Sequence, residues 1–338
     1  MDELEKRRAE SDRRFEELRN YLTGGNSIIE AKIIDEEACV YATGSFGRRE
    51  AGIYSDLDVF IVGKSDGVTN SDGVQGSLLR PLDEILVKAQ LIRATRALKF
   101  PEFSGDGRYL THYSTHQLTR TLGRPEDDVT NTLTARLLLL LESRPIIGEK
   151  VYNDVLTEVI RAYWRDYEDH KDKFMPAFLT NDILRLWRTF CVNYEAKTET
   201  EPEREKAKRK LANYKLKHSR LLTCYSGILY LLAVFRRDRT VTPEHAIEMA
   251  RLTPTGRLEW LLKEPDFSDA RGVIESILCQ YSIFLDSTNK PKEEQIFMFS
   301  NRSSSFRYLN QANEFGDLVF KALNLVGKDS LFHRLLVV

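Results

Sequence analysis

The clearest pattern of hydrophobic and polar positions lies at residues 38–62. Two apolar segments there are separated by a polar segment that contains glycine and serine. The first segment, ACVYAT at residues 38–43, predicts a strand, and DVFIV at residues 58–62 predicts another. Gly44 and Ser45 form the turn after the first strand, and residues 46–54 have room for a short helix. The pattern predicts the order strand, turn, helix, strand.

Helical patterns lie on both sides of this region. Residues 2–22 predict a charged, solvated helix, and residues 27–37 predict a second helix. The Gly-, Ser- and Asp-rich residues 63–73 predict a solvated loop, residues 80–98 a helix, and the second half of residues 100–114 a third strand. The charged first helix carries a narrow apolar stripe made of Leu4, Phe15, Leu18 and Leu22.

Long helical patterns dominate from about Gln117 onward. An apolar helix closed by Pro145 is predicted first, followed by helices at residues 153–167 and 180–194. The apolar residues 221–235 are too few to cross a membrane and predict a buried helix instead. The C-terminal amphipathic helices either close the bundle or form a homodimer contact, and the sequence leaves both alternatives open.

These patterns predict an α+β fold with a small mixed sheet, followed by a mostly helical domain. The predicted organisation is an N-terminal helix at residues 1–24, a sheet domain at residues 25–118 and a helical domain at residues 119–338.

Composition narrows the class of protein further. The net charge is −1 and 30% of residues are charged, so the overall charge gives no reason to expect a nucleic-acid or membrane partner. The four cysteines show neither disulfide-framework nor zinc-ligand spacing. The first twenty residues are too charged for a secretory signal, and we therefore expect a cytoplasmic protein.

The candidate chemistry lies at the head of the second apolar strand. Residues two apart on a strand share a face, so Asp56 and Asp58 project together while Leu57 and its apolar neighbours pack on the other side. Two convergent carboxylates can bind two Mg²⁺ ions, and Mn²⁺ is the alternative ion. In proteins, Mg²⁺ is commonly bound by one or two carboxylates together with phosphates of the substrate. Gly44 allows close approach of those phosphates, and Ser45 offers a hydroxyl and an N–H. An ordinary polar turn before a strand is the alternative.

The segment GSFGRREAGIYSDLDVFIV at residues 44–62 resembles the DNA polymerase β-like nucleotidyltransferases, whose signature is Gly-Ser or Gly-Gly, a spacer and Asp-hydrophobic-Asp. It is most similar to the version in uridylyltransferases of nitrogen-signalling proteins and in stand-alone bacterial nucleotidyltransferases. The resemblance implies that Gly44 and Ser45 bind the β and γ phosphates and that Asp56 and Asp58 bind the metal. It also implies a third metal carboxylate on the strand after the helix at residues 80–98.

Asp106 is the best candidate for this third carboxylate, with Glu102 as the alternative. Asp106 lies in a Gly-Asp-Gly turn, where an aspartate is commonly structural. If neither side chain reaches the metal, the domain has a two-carboxylate site or is inactive.

Several basic and polar residues are candidates for binding the triphosphate. Arg48 either reaches phosphates or pairs with Glu50, and Ser55 directly precedes the Asp pair. In the helical domain the candidates are Arg188, Lys215 and Lys217, since cations from that domain bind phosphates in related proteins. A solvated helix face is the competing interpretation of the lysine cluster.

One tryptophan and two histidines have simpler interpretations than a role in chemistry. Trp187 either stacks on a base or packs in the core. His112 and His116 are predicted to be structural.

The resemblance implies transfer of a nucleoside monophosphate from an NTP or dNTP, ATP included, to a hydroxyl, with release of pyrophosphate. The acceptor is a protein side chain, an RNA end or another nucleotide, and the stand-alone enzymes of bacterial antiviral defence or stress are the favoured relatives. The alternative is a non-catalytic nucleotide sensor or antitoxin-like partner that keeps the fold.

Overall fold

The computed structural model of the chain describes residues 3–24, 34, 36–69, 71, 73, 75–103, 110–199 and 205–336. The fold is α+β, mainly helical with a small mixed sheet, as the sequence predicts. Two compact units divide the chain: Glu5–Tyr163 forms the first, and Met1–Leu4 with Trp164–Val338 forms the second. The boundary predicted after residue 118 falls inside the first unit, because the following helices and a further strand pack there.

The first unit contains α1 (Glu3–Thr23) from Glu5 onward, followed by β1 (Ala38–Thr43), the single-turn α2 (Gly44–Gly47) and β2 (Asp58–Gly63). The order strand, helix, strand is confirmed, but Gly44 and Ser45, predicted to form a turn before the helix, are its first residues, and the helix is one turn long rather than filling residues 46–54. Most of the predicted helix at residues 27–37 lies outside the described residues.

A hairpin occupies part of the segment predicted to be a solvated loop. Its strands are β3 (Ser65–Thr69) and β4 (Gln75–Ser77), which pair antiparallel in a two-stranded sheet of their own. Backbone pairing therefore continues where composition predicted only turns. The chain then enters α3 (Pro81–Ala97), which matches the helix predicted at residues 80–98.

The remaining elements of the first unit complete the sheet. They are β5 (His112–Ser114), α4 (Thr115–Arg120), α5 (Glu126–Val129), α6 (Thr132–Leu141), β6 (Arg144–Ile147) and α7 (Glu149–Tyr163). The described strands form a sheet in the order β5-β2-β1-β6, antiparallel except for the parallel pair β2 and β5. The sequence missed β6, since the helix predicted to continue to Pro145 ends at Leu141.

Alternation along β1 buries both faces of the sheet. Val40 and Ala42 join the Leu57, Val59 and Ile61 side chains in a core that α1 and α3 cover. On the opposite face Tyr41 contacts Tyr152 of α7, with ring centroids 5.8 Å apart. The sheet is thus enclosed by helices, and the predicted packing of the apolar residues around Asp56 and Asp58 is confirmed.

The second unit is helical in its described part. Its elements are α8 (Ala177–Glu199), α9 (Lys206–Lys215), α10 (Leu221–Asp238), α11 (Pro243–Arg251), α12 (Pro254–Lys263), α13 (Arg271–Ser287), α14 (Lys292–Ser300), α15 (Arg302–Val326) and α16 (Leu331–Arg334). A π-helical turn at Leu216–Arg220 joins α9 to α10 in one continuous helix.

That continuous helix, Lys206–Asp238, is the one candidate membrane span among the described residues by length and composition. Most of its apolar window is buried inside the protein, as in the core helix of a helical bundle. The predicted buried helix at residues 221–235 is therefore confirmed.

Candidate functional site

Gly44 and Asp58 meet where β1 ends and β2 begins. Antiparallel pairing places Thr43 opposite Asp58, so the turn after β1 lies beside the first residue of β2. Gly44 has φ of +61°, and a Cβ built on it would lie 2.6 Å from Oδ2 of Asp58. Glycine is required here both by the left-handed backbone and by the close carboxylate. The two ends of the sequence motif are therefore in contact.

Asp56 precedes β2 by two residues, and the side chains of both aspartates are exposed. A tight turn at residues 52–55 leads directly into Asp56. The Ser55 N–H donates to the Gly52 carbonyl at 3.0 Å, and the Gly52 N–H donates to the Ser55 hydroxyl at 3.0 Å. Ser55 thus closes the turn that leads into the Asp pair, whereas its predicted phosphate contact stays a prediction.

The short helix α2 packs without room for a side chain at its last position. A Cβ on Gly47 would lie 1.9 Å from the Glu142 carbonyl oxygen. Glycine at this position therefore lets α2 approach the end of α6. The approach brings the Glu142 side chain next to the turn.

A buried ion-pair network lies directly beneath the Gly44 turn. The Gly44 N–H donates to Oε1 of Glu142 at 3.1 Å, and Nη1 of Arg48 donates to Oε2 of Glu142 at 2.8 Å. Nε of Arg48 also donates to Oε2 of Glu50 at 2.8 Å. The exposed side-chain fractions are 0% for Glu142, 8% for Arg48 and 2% for Glu50. Removing one partner from such a network typically costs about 3–5 kcal/mol, since a charge is left buried.

This network bears on two of the predicted phosphate ligands. Arg48 adopts the second of its two predicted arrangements, an ion pair with Glu50, and contacts Glu142 as well. The Gly44 N–H is engaged by Glu142, which leaves close approach at Cα as the contribution of Gly44 to a bound phosphate. Ser45, in α2, is partly exposed.

Arg49 continues the chain with φ of +59°, a conformation that costs a non-glycine residue about 1–2 kcal/mol. Its guanidinium pairs with the Asp12 carboxylate of α1, which also accepts from Nη1 of Arg144 at 2.7 Å. Burial acts to raise the pKa of Asp12, but the hydrogen bonds and charges of Arg49 and Arg144 outweigh it and lower that pKa. The strained Arg49 is thus held by Asp12, and Arg144 contacts the same carboxylate.

The predicted third carboxylate is not settled by the described residues. Asp106 lies outside them, and the alternative, Glu102, is 76% exposed and paired with Arg96 at 3.2 Å. Within the described ranges, no three His, Cys, Asp or Glu side chains form a group that could hold a metal. The fit to a metal therefore rests on Asp56 and Asp58, whose carboxylates are both exposed. Asp58 lies beside Gly44, which has no side chain, and exposed carboxylates suit Mg²⁺ and its phosphate ligands.

The predicted cations of the second unit lie on neighbouring parts of its helices. Arg188 is exposed on α8, Lys215 is exposed in the last turn of α9, and Nζ of Lys217 donates to Oδ1 of Asn313 at 2.8 Å. Trp187 contacts Tyr225 edge to face, with ring centroids 6.0 Å apart, so it has the packing partner that a core role requires. A phosphate role for these cations stays a prediction.

His112 links three elements of the first unit. Its Nδ1 is 3.0 Å from Oε2 of Glu84 on α3, and its Nε2 is 2.9 Å from Oγ of Ser77 on β4. The contacts tie the hairpin and α3 to β5, which agrees with the structural role expected for this histidine. His116 accepts the Gln75 N–H at 3.1 Å and so holds the same hairpin.

Sequence reasoning missed Glu142, because no local pattern links it to a turn 98 positions earlier. It also missed the polar residues of α1 that contact the motif. A polar residue directly after the apolar run of α6 was the one signal available for Glu142.

No protein-family model, curated protein or solved structure matches the chain. The interpretation of the site therefore depends on its own geometry and on the motif.

Proposed function

We propose that this chain is a metal-dependent nucleotidyltransferase, which transfers a nucleoside monophosphate from an NTP or dNTP to a hydroxyl and releases pyrophosphate. The observation that carries the proposal is the contact of Gly44 with Asp58 at the open end of the β1–β2 pair. Because Gly44 has no side chain, a phosphate chain can approach the backbone there. Its cations can then bind the exposed Asp-x-Asp pair next to it. An ordinary polar turn does not require this contact.

Each residue has a distinct role in the proposed site. Asp56 and Asp58 hold the cations, Gly44 admits the phosphate chain, and Ser45 donates its hydroxyl and N–H to the phosphates. Asp106 is the proposed third carboxylate. When bound, two Mg²⁺ ions would lower the pKa of the acceptor hydroxyl and neutralise the leaving pyrophosphate.

The reaction itself needs positioning more than covalent chemistry by the protein. The acceptor oxygen bonds to the α-phosphorus while the bond from that phosphorus to pyrophosphate breaks. The proton of the acceptor hydroxyl passes to a carboxylate of the site. The buried network of Glu142, Arg48 and Glu50 keeps the Gly44 turn in one conformation during this exchange.

We further propose a stand-alone enzyme that attaches or polymerises nucleotides in bacterial defence or stress. The motif at residues 44–62 is most similar to that group. The net charge of −1 disfavours an extended duplex as acceptor, because duplex binding depends on neutralising many phosphates. A protein side chain, an RNA end or a second nucleotide is the acceptor class to be distinguished.

The test is incubation of the purified protein with each radiolabelled NTP and dNTP plus Mg²⁺, resolved on a denaturing nucleic-acid gel and on a protein gel. A ladder indicates polymerisation, and a labelled protein band indicates a side-chain acceptor. Changing Asp56 and Asp58 together to Asn should abolish either product while the melting temperature stays close to that of the wild type. Asp66→Asn, an exposed carboxylate of the β3–β4 hairpin, is the matched control and should keep full activity.

Full activity in the Asp56→Asn, Asp58→Asn double variant would exclude the proposed mechanism. Loss of activity in Asp66→Asn as well would show that the effect is not specific to the pair.

A nucleotide sensor is the second candidate function. It is favoured by one observation, that no third acidic side chain joins Asp56 and Asp58 in the described ranges. A sensor should bind Mg²⁺-NTP in an equilibrium assay and release no pyrophosphate with any acceptor. Pyrophosphate release that depends on Asp56 and Asp58 would exclude it.

A further inference from the structure

The polar side chains of α1 contact the backbone of the loop between α2 and β2. Nη1 of Arg7 donates to the Glu50 carbonyl at 3.3 Å, and Nη1 of Arg14 donates to the Gly52 carbonyl. Asp12 pairs with the strained Arg49 of the same loop. Residues 49, 50 and 52 of the loop are therefore all held by side chains of one helix.

The Arg7 and Arg14 contacts are buried, although α1 has the composition of a solvated helix, whereas the Asp12–Arg49 pair is exposed. Arg7, Ser11 and Arg14 are all buried, and their spacing of four and three residues puts them on one face of α1. The apolar stripe predicted from sequence is buried as well, at Leu18 and its neighbours. The helix thus packs through apolar and polar contacts together, and the contacts of Arg7 and Arg14 end on the loop.

Arg14 is the most constrained of these residues. Its guanidinium lies over the rings of Phe46 and Phe100, 5.2 and 4.3 Å from their centroids, and burial lowers its pKa. A buried guanidinium is expensive unless its N–H groups are bonded, so the Gly52 carbonyl is a required partner. The aromatic rings fix the position of the guanidinium, and the guanidinium in turn fixes the position of the carbonyl.

The Gly52 carbonyl also accepts the Ser55 N–H and so belongs to the turn that precedes Asp56. A shift of Gly52 would therefore displace Ser55 and the Asp pair that follows it. Arg14 touches neither aspartate, and its influence on them passes through this turn.

We propose that α1 is a positioning element of the Asp56–Asp58 site and that Arg14 is its principal positioning residue. The inference rests on the proposed function, in that Asp56 and Asp58 are taken to bind the metal of a metal–nucleotide complex. We call the chain of contacts from Arg14 through Gly52 and Ser55 to Asp56 the brace. Its existence depends only on the observed hydrogen bonds and not on the proposed function.

The experiment compares Arg14→Met with Arg13→Met in the full chain. Methionine keeps an unbranched apolar side chain against Phe46 and Phe100 but cannot donate to Gly52. Arg13 is the matched control, since it is the adjacent residue of α1, is 55% exposed and pairs with Glu10 and Glu17. Arg14→Lys restores a positive donor and should recover part of the wild-type behaviour.

Two measurements are made on each variant. Amide hydrogen exchange at residues 50–56 should become about tenfold faster in Arg14→Met, since a hydrogen bond from a charged group is lost. The Mg²⁺ concentration that gives half-maximal nucleotide binding should rise about tenfold, while nucleotide affinity at saturating Mg²⁺ changes little. Arg13→Met should match the wild type in both.

The outcomes separate the inference from the proposed function. Unchanged exchange at residues 50–56 in Arg14→Met, or an equal acceleration in α7, would overturn the positioning role, because the effect would be absent or merely global. An unchanged Mg²⁺ midpoint despite faster local exchange would overturn the link to the metal site. If the wild type binds no nucleotide with Mg²⁺, the proposed function fails, and local exchange alone then decides whether the brace exists.

Discussion

At the scale of single residues, the Gly44 turn is determined by what it contacts on both sides. Its Cα faces the Asp58 carboxylate, and its N–H donates to the buried Glu142. A charged acceptor buried away from water makes a strong hydrogen bond, so the peptide has one favourable orientation. The turn is therefore built before any ligand arrives, which reduces the conformational cost of binding one.

We predict that Gly44→Ala weakens nucleotide binding with Mg²⁺ and destabilises the first unit. The new Cβ must displace the Asp58 carboxylate, from which it would be only 2.6 Å away, and the residue must keep φ of +61°. The left-handed backbone alone costs about 1 kcal/mol, and the displaced carboxylate adds to it. Urea unfolding and a Mg²⁺-nucleotide binding assay measure the two effects.

Gly67→Ala separates these two costs. Gly67 has φ of +75°, and a Cβ there would meet nothing within 4 Å, so that variant carries the backbone cost alone. It should lose stability by about 1 kcal/mol and keep its nucleotide affinity. Equal losses of affinity in the two alanine variants would contradict a specific contact between Gly44 and Asp58.

At the scale of elements, the π-helical turn between α9 and α10 buries a histidine among aromatic rings. His218 stacks on Phe284 with ring centroids 4.7 Å apart and planes within 3°, and its Nδ1 is 2.8 Å from the Tyr214 carbonyl. Burial lowers the pKa of His218 from 6.5 to about 4. The folded second unit therefore favours the neutral form of the His218 ring.

We predict that the second unit loses stability as pH falls from 6.5 to about 4. The unfolded chain takes up a proton on His218 at the upper value, while the folded unit resists it down to the lower one. Protonation thus favours unfolding throughout this window, and a pKa difference of this size corresponds to about 3 kcal/mol. Urea unfolding across the window measures the loss.

The variant that tests this assignment is His218→Phe, which keeps an aromatic ring and has no proton to gain. Its stability should depend less on pH between 6.5 and about 4 than that of the wild type. His170→Ala, at an exposed position, should leave the wild-type dependence unchanged. An unaltered pH dependence in His218→Phe would assign the effect to other groups.

At the scale of the whole molecule, the chain forms two compact units with separate cores. The core of the first is the apolar cluster around the sheet, and the second is built on the buried helix α10. All the residues of the Gly44–Asp58 site are in the first unit, whereas the predicted cations Arg188, Lys215 and Lys217 are in the second.

We predict that replacing Arg188 and Lys215 with Met lowers the affinity for an NTP about tenfold or more and leaves the affinity for the corresponding NMP unchanged. Cations that bind the β and γ phosphates contribute only when those phosphates are present. Isothermal titration calorimetry with the NTP and with the NMP measures the two affinities in each variant.

Lys263→Met removes an exposed positive charge elsewhere on the second unit and is the control for net charge. It should bind both nucleotides as the wild type does. If the Arg188 and Lys215 replacements also leave NTP affinity unchanged, the second unit does not supply the phosphate ligands, and the solvated-helix interpretation of its lysines holds.

The sequence predicted the parts of the fold that depend on neighbouring residues. The strands β1 and β2, the turn at Gly44 and the helix α3 follow from alternation, glycine conformation and helical spacing. The strand β6 and the β3–β4 hairpin were missed, since each is too short or too polar for its periodicity to be recognised. The first unit extends beyond the boundary predicted after residue 118, because the unrecognised strand β6 returns the chain to the sheet.

By itself, the sequence determined the candidate chemistry: Gly44 and Ser45 at a turn, and two aspartates at the head of a strand. These are local features, because backbone conformation and side-chain alternation are set within a few residues. Only the tertiary structure decided what supports them. The buried Glu142 and Arg14 approach the motif from 98 positions later and 38 positions earlier than their partners. No local pattern encodes such contacts, since they form only when distant elements pack and exclude water.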